Sequence, residues 1–326
     1  MKYISSIFII LIFVGSLRAE RDLTNVQPLD GVKTKPGIQL DKSPSALGIS
    51  PEAQSRLSQA TNPPLNIALF AVDRRDEKEN GNSDVIMIIS IDQQNKKVKM
   101  SSVLRDTYVN IEGHPKDKIN AAYALGGPQL AIKTINQNFD LDISDYINVD
   151  FFGAAEMVDA LGGVNIDVQA EEIPYLNNYL QEIAIIDKQP QTPVTKPGYL
   201  LLNGKQTVAY TRIRAVGRGD YVRTERQRNV MLALFKKLKG SGPQVFPAFM
   251  NQILPHMETS MSTMTLFKVG SSLLASKNKA VEQARFPLDS SSEGIRVNNI
   301  WYLSADLKAT STAMHNFIYK DIPPHP

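Results

Sequence analysis

Three short apolar runs open the organised part of the chain, and each has the pattern of a β-strand. The runs cover residues 65–72, 84–92 and 97–104, with the polar turn 93–96 before the third. Continuous or alternating apolar residues over this length favour strands, and a short polar turn favours antiparallel pairing. We therefore predict three consecutive antiparallel strands, with a further strand at 164–168.

Apolar residues at helical spacing follow these strands. Their periodicity, with glycine pairs or single glycines as stops, predicts helices over residues 128–139, 151–161, 224–239, 244–253, 264–275 and 304–319. Together the elements predict one α/β sandwich domain, in which a largely antiparallel central sheet is flanked by helices.

The N-terminal residues 1–19 have the layout of an export segment. Lys2 precedes the apolar run Ile7–Val14, and small residues up to Ala19 offer a cleavage site. The run is short for a permanent membrane helix, which needs about 20 apolar residues. A cleaved signal peptide and an uncleaved anchor both stay open, and a buried helix is a weaker alternative. A signal peptide or an anchor would place the protein outside the cytoplasm, on the outer face of the cell membrane, secreted or in the cell wall.

The remaining chain divides into three parts by composition. Residues 20–64 are polar and contain repeated prolines, which predicts a linker. Residues 65–240 form the predicted core, and residues 241–326 a helical part that completes the same domain. Because the chain has no cysteine, disulfide frameworks, cysteine-based metal sites and thiol nucleophiles are excluded.

Charged residues stand at three strand ends that antiparallel pairing brings to one sheet edge. They are Asp73, Asp84 and the pair Arg105–Asp106. An aspartate next to a strand is by itself more often a turn former than a functional group. Their predicted convergence at one rim favours a site.

A second group is rich in arginine. Between residues 212 and 228 lie six arginines and two acids, in a chain whose net charge is only +3. Arg212 and Arg214 would point the same way from an extended segment, and Arg223, Arg226 and Gln227 would share one helical face. Planar guanidinium groups near a helix N-terminus suit phosphate oxygens.

Other interpretations of the arginine group are a solvated basic face and nucleic-acid binding. The export segment, the modest net charge and the lack of aromatic residues interleaved with these arginines argue against nucleic acid. Carboxylates at one rim together with clustered arginines are typical of metal-assisted phosphoryl transfer. No P-loop or metalloprotease motif is present, and the four histidines lie outside these segments.

Residues 66–228 resemble the LytR–CpsA–Psr domain of bacterial cell-envelope proteins. The resemblance is carried in uninterrupted order by the segments 66–74, 82–84, 104–109, 118–123, 126–128, 149–151, 158–164, 202–204, 212–214 and 223–227. It implies an extracytoplasmic, Mg²⁺-dependent phosphotransferase, with Mn²⁺ as the alternative ion. Such an enzyme moves a glycopolymer (teichoic acid, capsule or related polysaccharide) from a polyprenyl-pyrophosphate carrier to a peptidoglycan hydroxyl, forming a phosphodiester. Its partners are the lipid-linked glycan, peptidoglycan and the membrane, and not nucleic acid.

The resemblance also implies roles for individual residues. Asp73 and Asp84 would hold the metal, and the pyrophosphate would be contacted by Arg105, Arg212, Arg214, Arg223 and Gln227. Arg74 and Asp106 are weaker assignments, and Asp106 is either the general base or an ion-pair partner. Asn82 stands where many members have an arginine. The lipid tail would need an apolar tunnel between helices and sheet, which ordinary core patterning hides.

Two other functions stay open at this level. A hydrolase could cleave the same lipid pyrophosphate with water at the same site. A non-catalytic envelope protein could hold polyprenyl phosphate without turnover, although the presence of Asp73, Asp84 and Arg105 argues against it. The residues do not distinguish transferase from hydrolase.

Overall fold

The computed structural model describes residues 38–72, 81–242, 245–275 and 281–324. Its strands are β1 (Leu65–Val72), β2 (Ser83–Asp92), β3 (Lys97–Val103), β4 (Tyr108–Ile111), β5 (His114–Lys118), β6 (Asp145–Val149), β7 (Val164–Val168), β8 (Gly198–Leu202), β9 (Met257–Thr259), β10 (Val281–Phe286), β11 (Ser292–Val297) and β12 (Ile300–Ala305). Its helices are α1 (Pro51–Gln59), α2 (Ala121–Phe139), α3 (Phe151–Ala160), α4 (Ile173–Asp187), α5 (Gly204–Thr211), α6 (Asp220–Gly240), α7 (Phe246–Ile253), α8 (Thr263–Ala275) and α9 (Leu307–Lys320).

The central sheet has the strand order β10-β3-β2-β1-β6-β9. β1, β2 and β3 pair antiparallel in chain order, as predicted, and β9 is antiparallel to β6. β6 is parallel to β1, however, and β10 is parallel to β3. The prediction of a largely antiparallel sheet is therefore wrong, and the sheet is mixed. The reason is that α2 carries the chain back across the sheet, so that β6 enters from the same end as β1.

Successive residues of β1 point to opposite faces of the sheet and into two different apolar clusters. Ala68 and Phe70 pack with side chains of α2 and α9 in the first cluster. Ile67 packs with α7 and α8 in the second. The sheet is thus a layer between two sets of helices, which is the predicted α/β sandwich. A third cluster joins β7, β8, α4, α5 and α6 beside the sheet.

Several predicted elements differ from the structure at their ends. α2 begins at Ala121 instead of residue 128 and continues across a kink, where Gly127 has φ +62° and Pro128 follows. α6 begins at Asp220 instead of residue 224. The C-terminal part is more than helical, because β9 and β10 join the central sheet and β11 pairs with β12.

Part of the predicted linker is packed on the domain. Ser50 caps the N-terminus of α1, where its hydroxyl accepts a hydrogen bond from the backbone N–H of Ala53, and Arg56 binds Asp140 at 2.5 Å. Leu47 is fully buried in the first apolar cluster. The linker prediction is therefore wrong from residue 38 to the end of α1, because a few well-placed side chains anchor a segment that has no sustained periodicity.

The predicted signal or anchor segment 1–19 lies outside the described residues. Within the described ranges, no helix has both the length and the hydrophobicity needed to cross a membrane.

Candidate active site

The charged side chains after β3 and at the start of β2 meet at one edge of the sheet. Arg105 Nη1 donates to Asp84 Oδ1 at 2.5 Å. This contact confirms the predicted convergence of these two strand ends. Asp73 and Arg74, which were also predicted for this site, lie outside the described residues.

Asp220 is the central carboxylate of this edge, and the sequence analysis did not identify it. It is the first residue of α6. It accepts a hydrogen bond from Arg105 Nε at 2.9 Å and pairs with Arg223 Nη2 at 3.3 Å and Arg214 Nε at 3.5 Å. Its i, i+3 spacing to Arg223 was the available signal. We call Asp84, Arg105, Arg214, Asp220 and Arg223 the charged rim.

Burial and charge shift the ionisation of the rim arginines in opposite directions. The side chain of Arg223 is only 3% exposed, and this burial lowers its pKa to about 10 despite the nearby Asp220 and Asp84. Its Nε has no hydrogen-bond partner among the described residues. For Arg105, burial also acts to lower the pKa, but Asp220, Asp84 and Asp106 outweigh it and raise the pKa. Arg105 is therefore a fixed positive charge at the rim.

Asp106 is a carboxylate beside the rim, and its surroundings differ from those of Asp220. Its Oδ1 forms an ion pair with Lys118 Nζ at 2.6 Å, and its Oδ2 lies 3.6 Å from Arg105 Nε. Burial raises the pKa of Asp106, and its hydrogen bond with the Asp220 carboxyl adds to that rise. For Asp220, the charges of Arg223 and Arg105 outweigh burial and lower the pKa. Of the two neighbouring carboxyl groups, Asp106 is thus the one that holds a proton more readily.

Arg212 and Arg214 point in different directions. Arg214 faces the rim, with Nη2 3.7 Å from Asp84 Oδ2. Arg212 pairs with Glu182 of α4 at 2.9 Å, and its guanidinium lies 4.6 Å from the centre of the Tyr179 ring. The predicted extended segment is wrong because Arg212 is the C-cap of α5 with helical backbone angles.

Three further residues of the predicted arginine group lie in three different places. Gln227 lies one turn along α6 from Arg223 and faces the cavity described below. Arg226 is buried and pairs with Glu172 at 2.6 Å. It also donates hydrogen bonds to the carbonyls of Ile213 and Val216, so it holds the loop between α5 and α6 in place. Arg218 is 70% exposed and pairs with Asp289 at 2.8 Å, away from the rim.

An apolar cavity of about 680 Å³ adjoins the charged rim. One wall is the sheet face formed by alternate residues of β1, β2 and β6, such as Leu69, Ile89 and Val149. Residues of α3, α6, α7 and α8 form the opposite wall. The charged and amide-bearing lining residues are Asn82, Asp84, Arg105, Arg212, Arg214, Arg223 and Gln227. The tunnel that the resemblance implied is present as this cavity between sheet and helices.

Known proteins share this sequence pattern and this fold. A family model described as the LytR_cpsA_psr family matches residues 33–316. The chain belongs to this family. It is 34% identical over 228 residues to the regulatory protein MsrR of Staphylococcus aureus strain COL, a match that covers 68% of this chain and 65% of that protein. The chain thus spans slightly less than two thirds of the length of MsrR.

A second relative agrees with this assignment, and a solved structure shares the fold. The polyisoprenyl-teichoic acid–peptidoglycan teichoic acid transferase TagU of Halalkalibacterium halodurans is 31% identical over 245 residues, covering 74% of this chain and 73% of that one. A structure of the family protein YwtF (TagT) with bound octaprenyl pyrophosphate has a TM-score of 0.62 at 21% identity, covering 86% of this chain and 99% of that one. At that identity the second comparison shows the fold alone.

A metal ion at this edge of the sheet would need oxygen ligands, and the rim carboxylates are the candidates. Within the described ranges, no three metal-ligating side chains form a group that could hold an ion. Mg²⁺ nevertheless needs only one or two carboxylates when substrate phosphates and water complete its shell. Asp84 is 17% exposed at the rim and could supply one such carboxylate, although its Oδ1 already accepts a hydrogen bond from Arg105.

Proposed function

We propose that this chain transfers a glycopolymer from a polyprenyl-pyrophosphate carrier to a peptidoglycan hydroxyl on the outer face of the membrane. The observation that carries the proposal is the junction of the apolar cavity with the charged rim. A ligand with a long hydrocarbon tail and a pyrophosphate head has the same two parts in the same order. The name of the TagU relative and the ligand of the TagT structure agree with this chemistry.

The reaction exchanges one phosphorus–oxygen bond for another. The acceptor hydroxyl oxygen attacks the phosphorus that carries the glycopolymer, and the bond from that phosphorus to the bridging oxygen breaks. Polyprenyl phosphate leaves with the bridging oxygen, and the hydroxyl proton passes to a base. The product is a phosphodiester between glycopolymer and peptidoglycan.

The rim arginines stabilise the negative charge of this reaction. Arg105, Arg214 and Arg223 converge around the carboxylates of Asp84 and Asp220, and all three line the cavity. Fixed guanidinium groups in a partly buried site stabilise a transferring phosphoryl group more than mobile, hydrated cations would. Gln227 also lines the cavity, one helical turn from Arg223, and adds an amide donor, whereas Arg212 lines the cavity but is paired with Glu182.

Asp106 is the proposed general base. Its raised pKa and its position next to Arg105 suit a group that accepts the proton of the acceptor hydroxyl. The pairing with Lys118 supports the competing interpretation, in which Asp106 only orders the segment after β3.

Mg²⁺ held by Asp84 and Asp73 completes the proposal, with Mn²⁺ as the alternative. When bound, the ion would neutralise charge on the phosphoryl oxygens. Asp84→Ala should abolish metal-dependent turnover while the melting temperature stays close to that of the wild type, because Asp84 lies at the rim and not in the core. Asp289→Ala is a matched control, since Asp289 also pairs with two arginines but lies outside the rim. Wild-type turnover that survives chelation would contradict the metal assignment.

The function is tested with purified protein and a lipid-linked glycan, with and without peptidoglycan. We expect polyprenyl phosphate release that depends on peptidoglycan, together with glycan covalently attached to the acceptor. Equal release without acceptor would identify a hydrolase instead. Tight binding of the lipid without release would identify a carrier-binding protein.

A further inference from the structure

Methionine is concentrated in the wall of the apolar cavity. The chain has ten methionines. Six of them line the cavity, namely Met87, Met157, Met231, Met250, Met257 and Met261. This concentration sets the cavity apart from the first apolar cluster on the opposite face of the sheet, where Met314 is the one methionine among the described buried residues.

The six side chains reach the cavity from different directions. Met87 belongs to β2, Met157 to α3, Met231 to α6, Met250 to α7 and Met257 to β9. Met261 lies two residues after the end of β9. Methionine is thus placed on the sheet side and on the helix side of the same space.

The rest of the sheet-side wall is built from stiffer residues. The residues Val85, Ile89, Ile91, Ile147 and Val149 line the cavity from β2 and β6. Such β-branched side chains have restricted χ1 angles on a strand. An unbranched methionine side chain has three rotatable bonds and fills irregular gaps of varying shape. The cavity lining therefore combines stiff β-branched side chains with flexible methionine side chains.

We propose that the methionines adapt the cavity to prenyl chains of different length, so that the protein accepts carriers over a range of isoprene units. This inference rests on the proposed function for the identity of the ligand. A chain shorter than the cavity would leave empty volume, which is unfavourable because lining atoms lose their contacts. Methionine side chains can close over that volume, whereas branched aliphatic side chains cannot.

The test compares prenyl-pyrophosphate binding by two sets of Met→Leu variants. The cavity set combines Met250→Leu, Met257→Leu and Met261→Leu, which keep side-chain volume but remove flexibility. The control set combines Met100→Leu and Met314→Leu, two buried positions that do not line the cavity. Dissociation constants are measured for farnesyl, geranylgeranyl and octaprenyl pyrophosphate, without glycan or acceptor.

We expect the cavity set to weaken binding of the farnesyl compound relative to the octaprenyl compound by about tenfold, a change of ~1.4 kcal/mol. The control set should leave that ratio at its wild-type value. If the cavity set weakens all three ligands equally, or none of them, the methionines are ordinary core residues and the inference is wrong. Should the triple variant fold poorly, the single variants Met157→Leu and Met231→Leu, at half-buried wall positions, carry the same comparison.

The same measurement separates the inference from the function on which it rests. Wild-type protein that binds none of the three compounds overturns the proposed function, and the inference with it. Wild-type protein that binds them, with variants that do not change the length preference, overturns the inference alone.

Discussion

The charged rim at the edge of the central sheet adjoins the apolar cavity on its face, but the two are held in opposite ways. In the rim, each group fixes its neighbours, since Asp220 alone contacts Arg105, Arg214 and Arg223. In the cavity, side chains such as Leu69 pack against neighbouring apolar residues on one side and face open space on the other. Because ion pairs are directional, the loss of one rim residue should strongly reduce activity. An apolar surface is formed by many side chains, so each of them contributes only a small part of the binding energy. We therefore expect large, residue-specific effects at the rim and small, graded effects in the cavity.

After the loss of turnover expected for Asp84→Ala, the largest effect is expected at Asp106. If this carboxylate accepts the acceptor proton, Asp106→Asn lowers turnover by about 10²- to 10⁴-fold, the usual contribution of a general base. Burial raises the pKa of Asp106 above the usual 3.8, and the base must be deprotonated. In the wild type, kcat/KM should thus fall as the pH drops through that raised pKa, and the Asn variant should lose this acidic limb.

The measurement is a pH–rate profile of both proteins, with Asp289→Asn as the control that keeps the limb. An Asn variant with near wild-type turnover would assign Asp106 to its ion pair with Lys118 and remove it from the chemistry.

An intermediate effect is expected at Arg214. Lysine keeps the positive charge but cannot form two parallel hydrogen bonds to phosphate oxygens. Because charge-assisted bonds contribute about 1.5–3 kcal/mol each, Arg214→Lys should reduce turnover by roughly 10- to 150-fold. Arg218→Lys is the matched control, since Arg218 lies four residues on and binds Asp289 instead of the rim.

Turnover of the two lysine variants is compared on one lipid-linked glycan, and their melting temperatures should agree within a few degrees. If Arg214→Lys is as active as Arg218→Lys, the arginine group acts through net charge alone.

The same contrast explains what the sequence could predict. Charged residues are conspicuous at strand ends, so Asp84 and Arg105 could be placed together from the pattern of β1 to β3. Asp220 was missed because its contacts with Arg105 and Arg214 come from outside its own helix, a relation that only the fold creates, and its i, i+3 spacing to Arg223 was not used. β6 and β10 were missed as well, since each is short and carries polar residues such as Asn148 and Arg285. Their strand conformation depends on parallel partners far along the chain.

The cavity could not be predicted for a different reason. Ile88 and Ile89 are neighbouring residues of one type on β2. Ile88 is fully buried in the first apolar cluster, whereas Ile89 lines the cavity. A hydrophobic pattern predicts that both side chains are removed from water. It does not predict whether another side chain fills the space beside each of them.

The smallest expected effect tests this difference with one substitution at two adjacent positions. Ile89→Phe adds volume toward open space, so the melting temperature should hold or rise slightly, while the Kd for octaprenyl pyrophosphate should rise by about 3- to 10-fold, or ~0.7–1.4 kcal/mol. Ile88→Phe adds the same volume to a packed core, where overpacking costs about 1–3 kcal/mol of folding free energy. Its melting temperature should therefore fall, and its Kd, measured well below the melting temperature, should stay near that of the wild type. Thermal melts and lipid titrations of the two variants give both readouts. If Ile89→Phe destabilises the fold as much as Ile88→Phe and leaves lipid binding unchanged, the space beside Ile89 is ordinary core and the ligand binds elsewhere.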